Sequence, residues 1–214
     1  NLQQISQELR LTYDSDNLRL LAGGYFFDEN YEERDYTRFL NPATNVTETR
    51  EGIIGRPSRL FTNTYSAFGS IDYDVTDRFT VTGELRFNHE KIRAEAATAF
   101  NILTQTGSTA IDFRGEQTYN TWLPRLNAKY ELTDNMHVYG SVAKGAKPGG
   151  FNVGAVIDSL RPFGQEKIWT YELGTKGNIA GRTISFDASL YFSDWRDVQV
   201  TTICYGTQSA FAVG

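Results

Sequence analysis

Hydrophobic and polar positions alternate with a period of two over several long segments of the chain. Between Arg78 and Lys91 the odd positions up to Phe87 are apolar or glycine, whereas the even positions are polar or charged. Successive side chains of a β-strand point to opposite faces, so this period predicts a strand with one apolar and one polar face. The same alternation covers residues 61–73 and 183–193. These segments predict strands of about 11 to 14 residues, longer than the ~5–6 that are usual in globular proteins.

Short polar turns separate the predicted strands, and long polar segments join them at the other end. Asp, Asn and Gly hydrogen-bond locally or tolerate left-handed backbone, and they cluster at residues 14–17, 74–77, 132–135 and 178–181. The turns predict hairpins over about residues 2–29, 61–93, 117–147 and 168–196. The long connections fall at about 30–60, 94–116 and 148–167. Short turns at one end and long loops at the other are typical of outer-membrane barrels, whereas a soluble sandwich mixes both lengths at both ends.

The pattern therefore predicts an all-β protein: an antiparallel up-and-down transmembrane β-barrel segment of about eight long strands, with short periplasmic turns and long extracellular loops. Aromatic residues near the strand ends suit two interfacial girdles. They include Tyr65 and Tyr73, Phe79 and Phe87, Trp122 and Tyr130, and Trp169 with Tyr171. Alternation alone leaves a soluble β protein open, because the two architectures differ in which face points inward. A membrane barrel requires Phe79, Val81, Leu85 and Phe87 on the outer face, with Thr82, Glu84 and Arg86 on the inner face.

Composition narrows the classes of function. The 214 residues are 14% aromatic with a net charge of −5, and the mean hydropathy is −0.43. A nucleic-acid partner is not expected, because such proteins are usually basic. The single Cys204 and the isolated His89 and His137 suit neither a metal site nor a Ser-His-Asp hydrolase. We therefore expect no metal, no cofactor and no enzymatic activity. Strands with one lipid-facing and one polar face explain how many aromatics coexist with low hydropathy.

Three motifs in the second half of the chain resemble one protein family. Residues 138–152 read Val-Tyr-Gly-Ser-Val-Ala-Lys-Gly-Ala-Lys-Pro-Gly-Gly-Phe-Asn, residues 171–177 read Tyr-Glu-Leu-Gly-Thr-Lys-Gly, and an aromatic-rich segment ends in Asp197-Val198-Gln199. They resemble barrel strands of the TonB-dependent outer-membrane receptors of Gram-negative bacteria. Ala146 departs from the family, in which an aromatic residue is usual. The resemblance implies a 22-stranded barrel, a separate N-terminal plug, and energy-coupled uptake of a ferric siderophore or similar scarce nutrient. It also implies outer-membrane lipid and the TonB complex as partners, the latter acting through the plug.

We expect residues 1–214 to be part of a single β-barrel domain in the bacterial outer membrane, without the plug and the remaining strands. The absence of an initiating Met and of a signal peptide favours an interior fragment. A complete eight-stranded barrel with a structural or adhesion role stays open, because 214 residues suffice for one.

Two groups of residues are candidates for a functional site. Six charged residues fall on predicted inward faces: Glu84, Arg86, Arg125, Lys129, Glu172 and Lys176. They either contact the cargo or pair with each other and with the plug, since inward charges need partners in any case. In the first long loop, aromatic rings and guanidinium groups could stack on a ligand or bind its anionic groups. These loop candidates are Tyr31, Arg34, Tyr36 and Arg38. Acidic residues nearly neutralise this loop, so a solvated surface is the alternative.

Overall fold

Eight long strands form one antiparallel sheet in the computed structural model. The structure describes residues 1–34, 38–41, 46–49, 57–97, 111–153, 158–179, 183–203 and 210–213. The long strands are β1 (Leu2–Asp14), β2 (Leu18–Arg34), β5 (Pro57–Thr76), β6 (Phe79–Ala97), β7 (Ile111–Thr133), β8 (Met136–Lys147), β11 (Glu166–Ile179) and β12 (Ile184–Arg196). Short elements in the connections are β3 (Arg38–Asn41), β4 (Val46–Thr49), β9 (Gly150–Phe151), a 3₁₀ turn (Asp158–Leu160), β10 (Pro162–Phe163), β13 (Val200–Ile203) and β14 (Ala210–Val213).

The long strands lie in the order β1-β2-β5-β6-β7-β8-β11-β12, so each pairs with its neighbour along the chain. The short strands pair separately as β3–β4, β9–β10 and β13–β14. Within the described residues, β1 and β12 do not pair with each other, and the sheet is an open segment. The predicted all-β, up-and-down arrangement of eight long strands is confirmed. No helix among the described residues is long and apolar enough to cross a membrane.

Four of the eight long strands, β2 and β5 to β7, are longer than the alternation predicted, whereas the other four contain 12 to 14 residues. β5, β6 and β7 contain 20, 19 and 23 residues, against the predicted 11 to 14. The extra residues lie at the end that carries the long connections, where the outward positions become polar and the inward positions of β6 become apolar at Ile92, Ala94 and Ala96. Because the apolar positions change faces while the backbone ladder continues, one uninterrupted alternation does not show where these strands stop. The connections are correspondingly shorter, at residues 35–56, 98–110 and 148–165.

The strand register separates one apolar face from one polar face. On the apolar face Leu85, Leu126 and Leu190 are 46%, 51% and 77% exposed. The opposite face holds buried polar side chains, namely Ser58, Thr64, Ser66 and Thr121. Most of the exposed large apolar side chains therefore point outward and most of the polar ones inward, as a transmembrane barrel requires. The prediction for β6 is confirmed: Phe79, Val81, Leu85 and Phe87 share the outer face, and Thr82, Glu84 and Arg86 share the inner one.

Aromatic residues mark both edges of the outward apolar band. At the edge near the long connections, the Phe87 and Trp122 ring centroids are 4.7 Å apart. At the turn edge, the centroids of Phe79 and Tyr130 are 6.4 Å apart. The band runs over Tyr65–Tyr73 on β5, Phe79–Phe87 on β6 and Trp122–Tyr130 on β7. This length is close to the ~9–11 residues of a tilted strand that crosses a bilayer. Beyond the band the outward positions are polar, and His89 hydrogen-bonds Asn120 at 2.8 Å.

The tight turns use local side-chain chemistry. The hydroxyl of Thr76 accepts the backbone N–H of Arg78 at 3.3 Å, and that of Thr133 accepts the backbone N–H of Asn135 at the same distance. A hydroxyl that bonds the backbone two residues ahead stabilises a turn in the same way as an Asx side chain. Two of the four predicted turns are thus stabilised in the same way, by the Thr hydroxyl of a Thr-Asp pair at the strand end.

Asp74, just outside the apolar band, joins the first two hairpins at the turn end. Arg19 donates two hydrogen bonds to its carboxylate, at 2.8 and 3.1 Å, and the Thr80 hydroxyl donates a third at 2.7 Å. The hydrogen bonds from Arg19 and Thr80 lower the pKa of Asp74 from 3.8 to about 2. A lowered pKa in the folded state stabilises the protein above the unfolded pKa, and this contribution disappears as the pH falls through the folded value.

We expect Asp74→Asn to destabilise the protein in a pH-dependent way. The difference in unfolding midpoint between the wild type and this variant should be full above about pH 4, shrink as the pH falls, and vanish near pH 2. Urea titrations of the intact protein at several pH values measure it. Asp77→Asn is the matched control, since Asp77 lies in the same turn and forms no ion pair within the part of the chain that the structure describes. A pH-independent difference for Asp74→Asn would contradict the assignment.

Candidate functional site

The register places the six predicted lumen charges on the inward face. Residues opposite each other in neighbouring strands share a face, and the partners can be followed from β6 through β7 and β8 to β11. Glu84 lies directly opposite Arg125, and Lys176 lies opposite both His137 and Asp187. The sheet thus gathers charges that are scattered along the sequence. Their role in ligand binding stays a prediction.

Four of these six side chains have an oppositely charged partner on the same face, and a fifth, Glu172, accepts a hydrogen bond from a tyrosine. Glu84 and Arg125 approach to 3.7 Å, Lys129 lies 3.1 Å from Glu131, and Lys176 lies 2.9 Å from Asp187. The carboxylate of Glu172 accepts a hydrogen bond from the Tyr139 hydroxyl at 2.6 Å. These pairs are partly exposed, so each adds little to stability. Their effect is to satisfy the inward charges locally.

Arg86 is held differently, by neutral groups alone. Its guanidinium carbon lies 5.5 Å from the ring centroids of both Tyr25 and Phe68. Its Nε donates to the Asn88 side-chain oxygen at 2.8 Å, and its Nη2 donates to the Ser66 hydroxyl at 2.9 Å. Among the described residues, no carboxylate forms an ion pair with it. Arg86 is therefore the exception within the predicted group.

The connection between β8 and β11 folds onto the inward face of β7. Gln165 donates a hydrogen bond to the Thr121 hydroxyl at 2.6 Å, and the Tyr119 hydroxyl donates to the Phe163 carbonyl at 3.3 Å. Phe151 packs edge-on against Phe113, with 5.8 Å between centroids. The described parts of this connection, residues 148–153 and 158–165, thus cover the inner surface near the long-connection end. Hereafter we name them the inner loop.

A buried arginine anchors the inner loop. Arg161 is 1% exposed, and its guanidinium carbon lies 4.4 Å from the ring centroid of Phe113. It donates a hydrogen bond to the Val153 carbonyl at 3.2 Å, within the same loop.

Burial raises the pKa of Glu90, and burial together with the Glu90 carboxylate raises that of Tyr119. Both groups lie beyond the apolar band, so the water-poor environment here comes from packing on the inward face.

The sequence offered no hydrophobic period from which the inner loop could be recognised. The sequence features that could have indicated the inner loop were the two glycines after Pro148 and the Asp-x-Gln motif. Asp197 adopts a left-handed backbone with φ of 55°, which Asp tolerates better than most residues. The side-chain amide of Gln199 donates to the carbonyls of Pro148 and Gly164, at 2.9 and 3.0 Å. The motif therefore fastens both ends of the inner loop to the chain that follows β12.

The structure describes the side chain of only one of the four loop candidates. Tyr31 is described and is 37% exposed near the end of β2. The structure describes the backbone of Arg34 and Arg38 without their side chains, and it does not describe Tyr36. A ligand site in this loop stays a prediction. No group of three or more His, Cys, Asp or Glu side chains suited to a metal ion occurs in the described part of the chain.

A family model matches nearly the whole chain. The model, described as "TonB dependent receptor-like, beta-barrel", covers residues 2–213. The chain is 32% identical over 153 residues to the pesticin receptor of Yersinia enterocolitica, an alignment that includes 71% of this chain and 21% of the relative. It is 34% identical over 139 residues to the pesticin receptor of Yersinia pestis, covering 64% and 19%. The chain thus spans about a fifth of the length of these relatives.

The fold is similar to solved transport proteins. The crystal structure of the ferric yersiniabactin uptake receptor FyuA from Yersinia pestis superposes with a TM-score of 0.73 at 26% identity, over 93% of this chain and 29% of that one. The copper transporter OprC superposes with a TM-score of 0.76 at 15% identity, over 99% and 33%. At that lower identity the likeness shows the fold alone.

Proposed function

Because the chain belongs to the TonB-dependent receptor-like β-barrel family, whose members are outer-membrane transport receptors, we propose that it contributes barrel strands to a receptor that imports a ferric siderophore or similar scarce nutrient. The resemblance noted in the sequence is confirmed, as are the barrel fold and the outer-membrane location. Uptake itself depends on the whole protein, to which this chain contributes eight barrel strands and one inner loop. The energy-coupling TonB complex is the partner that the proposal requires.

The observation that carries the proposal is the family match over residues 2–213, on a sheet with one apolar outward and one polar inward face. FyuA supports the choice of cargo, since that structural neighbour is a ferric yersiniabactin uptake receptor. OprC carries copper on a similar fold. The fold therefore supports transport, while the class of cargo rests on the more similar neighbour.

We also propose that the chain is part of one larger barrel domain. A complete eight-stranded barrel closes by pairing its first strand with its last. Within the described residues, β1 and β12 pair only with β2 and β11. The alternative of a small complete barrel with a structural or adhesion role lacks this closure, so the larger barrel is the better supported architecture.

The uptake prediction is tested in a bacterium that carries the gene. Deletion should reduce uptake of radioactive iron from at least one ferric chelate to background, because no other route in the strain would recognise that chelate. Restoring the gene should restore uptake, and collapsing the proton-motive force with a protonophore should abolish it while leaving binding at the cell surface. Unchanged uptake of every ferric chelate after deletion would refute the siderophore version of the proposal.

A further inference from the structure

Arg86 differs from the inward Arg10, Arg19 and Arg125 because no described carboxylate pairs with its guanidinium, which also retains donors without a described acceptor. A guanidinium has five N–H donors and stays protonated in proteins. Asn88 and Ser66 accept from Nε and Nη2, and both acceptors are neutral. The described part of the chain provides no further hydrogen-bond acceptor to Arg86 and no ion-pair partner. A positive charge is thus present on the inward face without an ion-pair partner of its own among the described residues.

The two aromatic rings fix the orientation of this charge. Tyr25 on β2 and Phe68 on β5 are each 5.5 Å from the guanidinium carbon, which is within the range of cation–π attraction. Rings on two strands, together with the hydrogen bonds that Arg86 donates to two further residues, leave the side chain little rotational freedom. A preorganised planar fork binds carboxylates well, because little conformational entropy is lost when it forms hydrogen bonds.

The space beside Arg86 suits a small anion-bearing group. A concavity of about 340 Å³ on the inward face is lined by Arg86 and Arg10, by Glu8 and Glu84, and by apolar side chains that include Leu21 and Phe68. Arg10 pairs with Glu8, and Glu84 pairs with Arg125. These pairs cancel, so Arg86 gives the concavity a net positive charge next to apolar surface.

We propose that Arg86, with Tyr25 and Phe68, forms an anion-binding site on the lumen face that takes a carboxylate or a similar planar anion attached to an apolar or aromatic group. Its use for cargo rests on the proposed transport function, since an anionic chelate passing along this face would meet the site. Binding itself does not depend on transport. It can therefore be measured even if the uptake proposal fails.

The test compares benzoate with benzamide on the intact protein in detergent micelles, using saturation-transfer NMR. The two probes have the same ring and nearly the same shape, and only benzoate is charged. Benzoate should bind the wild type at least about tenfold more tightly than benzamide, which corresponds to one charge-assisted bidentate contact. Arg86→Gln should remove this preference, and Arg86→Lys should restore part of it, because lysine keeps the charge without the planar fork.

The matched control is Arg19→Gln, which makes the same change at another inward arginine whose charge is paired with Asp74 through two hydrogen bonds. It should leave the benzoate preference intact. Equal binding of the two probes to the wild type would overturn the proposal, and so would an unchanged preference in Arg86→Gln. A carboxylate from elsewhere in the intact protein that occupies Arg86 would produce the first of these results. The thermal unfolding midpoint of each variant shows whether it is folded.

Discussion

Leu126→Arg is expected to destabilise the protein by about 2–4 kcal/mol in a phospholipid bilayer, the cost of an arginine near the midplane on the lipid face of a barrel. Leu126 is 51% exposed on the outward face. It lies midway between the girdle residues Trp122 and Tyr130 on β7. No inward or aqueous position is within easy reach of a side chain there, so the guanidinium would remain in hydrocarbon.

Ser141→Arg provides the matched control on the inward face. Ser141 lies opposite Glu172 in the β8–β11 ladder, so a new arginine there would have a carboxylate close by and a polar surrounding. We expect it to change stability by less than about 1 kcal/mol, as exposed ion pairs do. Urea unfolding of the intact protein in lipid vesicles, followed by tryptophan fluorescence, measures both variants. Equal destabilisation by the two arginines would contradict the assignment of the faces.

Gly149→Ala should release the inner loop from the lumen face. A methyl group at Gly149 would lie against the Tyr119 hydroxyl and the Phe163 carbonyl, and 2.8 Å from the backbone carbon of Gly164. Because two of these neighbours are backbone atoms, the loop must move to accommodate it. Overpacking of this kind costs about 1–3 kcal/mol, which predicts about 5- to 150-fold faster amide hydrogen exchange across the inner loop.

Gly164→Ala is the control within the same loop. A methyl group at Gly164 would meet no atom within 4 Å, so exchange should stay close to that of the wild type. Hydrogen–deuterium exchange with mass spectrometry on the intact protein resolves the peptides concerned. Protection that is unchanged in Gly149→Ala would show that the loop does not pack on β7 in this way. Faster exchange throughout the barrel would indicate general unfolding instead of loop release.

For the candidate site, the sequence predicted the face on which each side chain lies but not the partners of that side chain. Alternation placed Glu84, Arg86 and Lys176 on the correct face, because the direction of a strand side chain depends on its position in the strand alone. It could not show that Lys176 pairs with Asp187, or that Arg86 has aromatic neighbours in place of an acid. Those contacts depend on how far each strand is shifted against the next. A shift of one residue between two strands would move the side chains of one strand to the opposite face and break these contacts.

What the sequence by itself determined was local. The period of two identified the apolar face of each strand, and Asp, Asn and Gly residues identified the tight turns, since both effects operate within a few residues. Only the tertiary structure decided the true strand lengths, because backbone pairing continues where the apolar positions change from the outward to the inward face. It alone placed the inner loop against Phe113 and Thr121, and it alone brought Tyr25 and Phe68 to Arg86. These contacts join segments distant in the chain, and the strand register that creates them leaves no periodic trace in the sequence.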